Sequence, residues 1–129
     1  MTEKDVVRTE EAPAPFQGAP YSQAVKAAGL VFVSGQLSLR PGGHEIVGES
    51  IEEQTEQVFA NLRAILEAAG SSLDRLIKTT VFLTNLDDFQ GMNSVYGGHV
   101  GDRPPARATV EVSRLPSGAL VEIEAIALA

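Results

Sequence analysis

The spacing of apolar residues changes several times along the chain, and each change marks an element. Ile51, Val58, Phe59, Leu62, Ile65, Leu66 and Ala69 recur with a period of about 3.6 residues, which predicts an amphipathic helix over Ile51 to Ala69. Ser50 and Glu53 form a capping box at its start, where each side chain satisfies an orphan backbone N–H. Gly70 supplies the left-handed residue that ends it. A shorter stripe of Phe89, Met92 and Tyr96 predicts a second helix from Asp88 to about Tyr96. Asp87 is its expected N-cap, Gln90 stands at the third helical position, and Gly97-Gly98 is the expected stop.

The remaining apolar segments are short and read as strands. Asp5 to Arg8 is a possible first strand, followed by an extended loop over Glu10 to Pro20 that holds Pro13, Pro15 and Pro20. Ser22 to Ala27 and Leu30 to Leu37 read as two strands joined at Ala28-Gly29, and the run Leu30-Val31-Phe32-Val33 suggests burial on both faces. Pro41-Gly42-Gly43 makes a turn. Leu76 to Thr84 favours a central strand. Pro104-Pro105 forces an extended entry into Ala106 to Val112, where Ala106, Ala108, Val110 and Val112 alternate with Arg107, Thr109 and Glu111. After the turn Leu115-Pro116-Ser117-Gly118 comes Leu120 to Leu128, expected antiparallel to its predecessor.

The order βββ-α-β-α-ββ predicts an α+β domain: a six-stranded mixed sheet with two helices on one face. One layer of helices leaves the other sheet face uncovered, so a homo-oligomer is expected. The 129 residues fit a single domain over 1–129, with residues 1–12 expected to be partly flexible.

Composition narrows the function. Apolar residues make up 43% and charged residues 21%, which excludes a disordered or fibrous chain. There is no cysteine, hence no disulfide framework and no thiol nucleophile. A net charge of −7 argues against non-specific attraction to nucleic acid or anionic membrane. The polar, acidic start lacks the pattern of a signal peptide, and no apolar run reaches the roughly 20 residues of a membrane span, so a cytoplasmic protein is expected.

Candidate chemistry is sparse. No Walker loop, GxGxxG or G-x-S-x-G motif occurs. His44 lies in a Gly-rich turn and His99 has no orienting partner nearby in sequence, so a two-histidine metal site is not expected. Arg107, mid-strand between alanines, reads either as a surface or ion-paired arginine or as a bidentate carboxylate clamp. Glu122 in Val121-Glu122-Ile123-Glu124 reads either as part of a solvated strand face or, in a closed pocket, as a proton-transfer group. Tyr21, after Gly18-Ala19-Pro20, reads as a core or interface aromatic or as a ring aimed into a site.

Several stretches, taken in order, resemble one family over about Ala12 to Ala127. They are Ala19-Pro20-Tyr21-Ser22-Gln23-Ala24, Val33-Ser34-Gly35-Gln36, Gln54-Thr55-Glu56-Gln57, Lys78-Thr79-Thr80-Val81-Phe82-Leu83, Pro105-Ala106-Arg107 and Val121-Glu122-Ile123-Glu124-Ala125-Ile126-Ala127. Together they resemble the RidA, or YjgF-type, family of reactive-intermediate deaminases. The resemblance implies a chorismate-mutase-like fold (a ferredoxin-like variant) and a homotrimer with sites in the clefts between subunits. It also implies hydrolysis of 2-imino acids such as 2-iminobutanoate and 2-iminopropanoate, and of their enamine tautomers, to 2-oxo acids and ammonia. That chemistry protects pyridoxal-phosphate enzymes and uses no cofactor or metal.

By the same resemblance, the carboxylate-binding arginine falls on Arg107 and the catalytic glutamate on Glu122. Tyr21, Ser34, Gly35, Asn93 and Thr109 fall on substrate-binding positions. The chain departs from the family pattern at Thr109, where cysteine is frequent, and at His99-Val100, where an aromatic pair is frequent. The loop Phe16-Gln17-Gly18-Ala19 is also longer than in compact members. Two other readings compete with the enzyme. One is a non-catalytic sensor of small carboxylates, for which Glu122 would be superfluous. The other is an RNA-cleaving or translation-blocking protein, which the net charge opposes.

Overall fold

The computed structural model describes residues 3–129. Six strands, β1 (Asp5–Val7), β2 (Ala24–Ala27), β3 (Leu30–Gln36), β4 (Leu76–Leu83), β5 (Ala106–Glu111) and β6 (Val121–Leu128), form one sheet in the order β1-β2-β3-β6-β4-β5. Helices α1 (Ile51–Ala68) and α2 (Phe89–Val100) cover one face. The expected α+β mixed sheet with two helices on one face is what forms. Of the expected loose segment 1–12, residues 1 and 2 lie outside the described residues.

Helix α1 carries its start signal as expected. Ser50 Oγ accepts from Glu53 N at 3.1 Å, and Glu53 Oε1 accepts from Ser50 N at 3.2 Å. These carboxylate hydrogen bonds hold the Glu53 carboxyl below its ordinary pKa. The apolar stripe buries Val58, Phe59, Leu62, Ile65 and Leu66 against Val31, Val33, Val81, Val121 and Ile123 of the sheet. Each large side chain removed from water in this way stabilises the fold by about 1.5–3 kcal/mol. Gly70, at φ 82°, ends the helix.

Three expectations need correction. First, β6 does not pair with its predecessor. Helix α2 is a crossover that makes β5 parallel to β4 and leaves it at the sheet edge; β6 inserts between β3 and β4, antiparallel to both. Its buried positions Val121, Ile123, Ala125 and Ala127 face the helices, which suits a central strand.

Second, α2 does not stop at Gly97-Gly98 but runs to Val100 and ends at Gly101, at φ 70°. Each helical glycine costs about 1 kcal/mol relative to alanine. Burial of Val100 and stacking of His99 on Phe59 hold the last turn in place. Its start also differs. Asp88 occupies the N-cap without a side-chain bond, while Asn85 Oδ1 accepts from Asp87 N at 2.9 Å and shapes a short 3-10 turn ahead of the helix.

Third, the run Leu30–Val33 is buried on one face only within a single chain: Val31 and Val33 are buried, whereas Phe32 is 42% exposed. Val6, Ile77, Val110 and Leu128 are exposed as well. The register places Val6, Phe32, Val110 and Leu128 on the sheet face opposite the helices. An apolar face this extensive is unusual on a monomer.

Candidate active site

The residues singled out in the sequence fall into two groups. The first lies on the helix-covered face at the β5 edge. Thr79 of β4 and Arg107 of β5 are register partners, so their side chains stand side by side on the same face. The Arg107 guanidinium carbon sits 4.7 Å from the centroid of the Tyr96 ring and 5.5 Å from that of Phe89. Phe89, Asn93 and Tyr96 share one face of α2 by helical spacing. Asn93 Oδ1 is buried without a hydrogen-bond partner among the described residues. Thr109, two residues beyond Arg107, lies on the same strand face.

Strand β5 therefore reverses the usual reading of an alternating strand. Its polar set, Arg107 and Thr109, is half-buried toward the helices, while Ala106, Ala108 and Val110 are exposed on the open face.

The second group lies at the far end of β3 and the start of β6. A register shift between Val33 and Gln36 marks a bulge that contains Ser34 and Gly35. Ser34 Oγ donates to Ser22 O at 2.6 Å, and Ser34 N donates to Gln23 O at 3.0 Å. Buried Gln23 pins the proline-rich loop: its Nε2 donates to Pro13 O at 2.8 Å, and its Oε1 accepts from Thr9 N at 2.8 Å. That loop carries Tyr21, whose hydroxyl accepts from Phe16 N at 2.6 Å. Tyr21 and Gly35 line one small cavity.

Glu122 reaches across Gly35. A Cβ at Gly35 would collide with Glu122 Oε2 and stand 2.9 Å from its Cδ, so only glycine leaves the carboxylate room. Burial raises the Glu122 pKa above its ordinary value, and the nearby Glu124 carboxylate adds to the rise.

The two groups lie apart within one chain. Glu122 lies between the buried, helix-facing Val121 and Ile123, so it points to the open face, whereas Arg107 points to the helix side. The register sets Glu122 opposite Phe82 and Arg107 opposite Thr79, which separates them along the sheet as well.

Sequence reasoning missed some supports. His99 has a partner after all: its Nε2 lies 3.0 Å from Glu56 Oε1, and its ring stacks on Phe59 at 4.6 Å. Asn61, buried in α1, donates to Leu37 O and Leu39 O at 3.0 and 2.9 Å and fixes the chain just past the bulge. A polar residue inside an apolar stripe was the available signal for Asn61. For His99 there was none, since Glu56 is 43 residues away. Among the described residues no group of three or more His, Asp or Glu side chains could hold a metal ion.

Residues 9–129 match the family described as Endoribonuclease L-PSP. The chain is 48% identical over 124 residues to the chloroplastic Reactive Intermediate Deaminase A of Arabidopsis thaliana, covering 96% of this chain and 65% of that one. The crystal structure of RidA from an Antarctic Psychrobacter superposes with a TM-score of 0.91 at 43% identity, covering 97% of this chain and 99% of the other. That of E. coli TdcF with bound serine superposes with a TM-score of 0.86 at 38% identity, covering 97% and 98%.

Proposed function

This chain belongs to the endoribonuclease L-PSP family, the RidA or YjgF group, and on that footing we propose that it hydrolyses reactive 2-imino acids and their enamine tautomers to 2-oxo acids and ammonia. The preferred substrates are small ones such as 2-iminobutanoate and 2-iminopropanoate, and the setting is cytoplasmic. The observation that carries this reading is the pair of half-sites. One face offers a guanidinium clamp, and the other offers a half-buried carboxylate of raised pKa beside an exposed apolar surface. The active form is a homotrimer in which the open faces pack together, and Arg107 of one copy meets Glu122 and Tyr21 of the next. The serine bound in the E. coli TdcF structure, a small molecule with a carboxylate, agrees with a site for amino-acid-sized acids.

The chemistry follows from these parts. Arg107 fixes the substrate carboxylate and so places the electrophilic imine carbon. The imine enters protonated on nitrogen, and Glu122, as carboxylate, takes a proton from water as the water oxygen bonds to that carbon and the C=N π pair moves to nitrogen. The carbinolamine formed receives this proton on nitrogen. The C–N bond then breaks, ammonia leaves, and the hydroxyl proton returns to Glu122 as the carbonyl forms. A raised pKa suits a group that must accept and return a proton near neutrality. Ser34, Gly35, Asn93 and Thr109 supply the remaining hydrogen-bonding groups around the substrate, and no cofactor or metal is required.

The test uses a threonine dehydratase to generate 2-iminobutanoate in the presence of semicarbazide. The protein should divert the imine to 2-oxobutanoate and slow semicarbazone formation, and Arg107→Ala should abolish the effect. Equal activity in wild type and Arg107→Ala would reject the site. Binding of 2-oxobutanoate with no effect on the imine would favour a carboxylate sensor instead.

A further inference from the structure

We infer that Tyr96, tethered to Thr79, is a positioning residue that holds the Arg107 guanidinium in the attitude a substrate carboxylate needs. The inference rests on the reading of Arg107 as the carboxylate clamp.

Among the described residues no carboxylate lies within ion-pair distance of Arg107. Its attitude is set by aromatic rings, and Tyr96 is the nearer of the two. An arginine without such a support must be ordered by the ligand itself, which weakens binding.

The Tyr96 ring is fixed from two sides. Its hydroxyl lies 2.6 Å from Thr79 Oγ1, both groups being buried. Thr79 is also the register partner of Arg107, so one β-ladder pair carries both the tether and the clamp. Phe59 meets the Tyr96 ring edge-on, with centroids 5.4 Å apart and planes at 85°. Phe59 is in turn backed by His99, stacked at 4.6 Å with an interplanar angle of 4° and joined to Glu56. A row of side chains thus runs from the α1 surface to the clamp. Burial also keeps the Tyr96 phenol protonated well beyond neutrality, against smaller opposing effects of Thr79 and Arg107, so the tether persists across the working pH range.

The test compares wild type, Thr79→Val, Tyr96→Phe and the double variant. Three quantities are read: KM and kcat for imine hydrolysis, Kd for 2-oxobutanoate, and 15N relaxation of the Arg107 Nε–H. Each single variant should raise KM and Kd about fivefold, the scale of one lost hydrogen bond, with kcat nearly unchanged. The double variant should be no worse than either single, because both remove the same bond. Arg107 Nε should become more mobile in all three. A fall in melting temperature with KM, Kd and Nε mobility unchanged would overturn the inference and leave the bond merely structural. If wild type fails to hydrolyse imine, the proposed function falls by itself. The Nε relaxation then still decides this inference: equal order in wild type and variants rejects it, and increased mobility in the variants supports it.

Discussion

Arg107 and Glu122 point to opposite faces of the same sheet, Arg107 beneath the rings of α2 and Glu122 onto the face no helix covers. The proposed mechanism, which needs both, draws them from two copies of the chain. Complementation tests this. Arg107→Ala and Glu122→Gln should each be inactive alone. Unfolded together in equal amounts and reassembled, they should regain about a quarter of wild-type activity, the fraction of interfaces in a random cyclic trimer that pair two intact partners. No recovery from correctly assembled mixed trimers would place both groups in one chain.

The raised pKa of Glu122 fixes the sign of a pH effect. Burial is its larger cause and Glu124 the smaller. Catalysis by the carboxylate form should fail as pH falls through the raised value, so the acid limb of kcat/KM should lie above an ordinary glutamate. Glu124→Gln removes a like charge and should move that limb to lower pH. A limb that stays in place would exclude Glu124 as a contributor. Stability runs the other way: the protonated form is favoured in the fold, so this group's contribution is present below its unfolded pKa and is lost as pH rises through the folded value.

Much of this arrangement was legible in the sequence, but unevenly. Helix α1 was legible because its period, capping box and Gly70 are all local signals. The partners of β6 were not, because alternation sets a strand's faces but not its neighbours. The Gly97-Gly98 stop failed because contacts of Val100 and His99 with the rest of the fold outweigh two helix-weakening residues. Arg107 and Glu122 show the limit most clearly. Each strand's alternation was readable alone, yet in β5 the polar set faces the helices and in β6 the apolar set does. Their opposite directions emerge only when both strands lie in one sheet.

The open face should be where copies meet. Phe32 is 42% exposed there, opposite Ile126 on β6. Phe32→Asp would bury a carboxylate without a partner in the assembled form, at a cost of several kcal/mol, while leaving the single chain solvated at that position. Sedimentation should find wild type at three times the 13.6 kDa chain and the variant at one. Imine hydrolysis should vanish with assembly. A variant that sediments like wild type would show that copies do not meet at Phe32.

Gly35→Ala separates the placement of Glu122 from the stability of the fold. Gly35 has no positive φ, so alanine fits the backbone there. What a Cβ meets is the end of the Glu122 side chain, a group free to rotate aside. The chain should therefore fold with a stability within about 0.5 kcal/mol of wild type, as for a substitution that disturbs no core packing. The displaced carboxylate can no longer hold the attacking water, so kcat should fall by about 100-fold, the lower end of what a positioned acid–base group contributes. KM should change little, because the Arg107 clamp lies on the other half-site. Urea unfolding together with steady-state kinetics checks both halves of this expectation. A stable Gly35→Ala protein with full kcat would mean that the position of Glu122 beside Gly35 is not the one that does the chemistry.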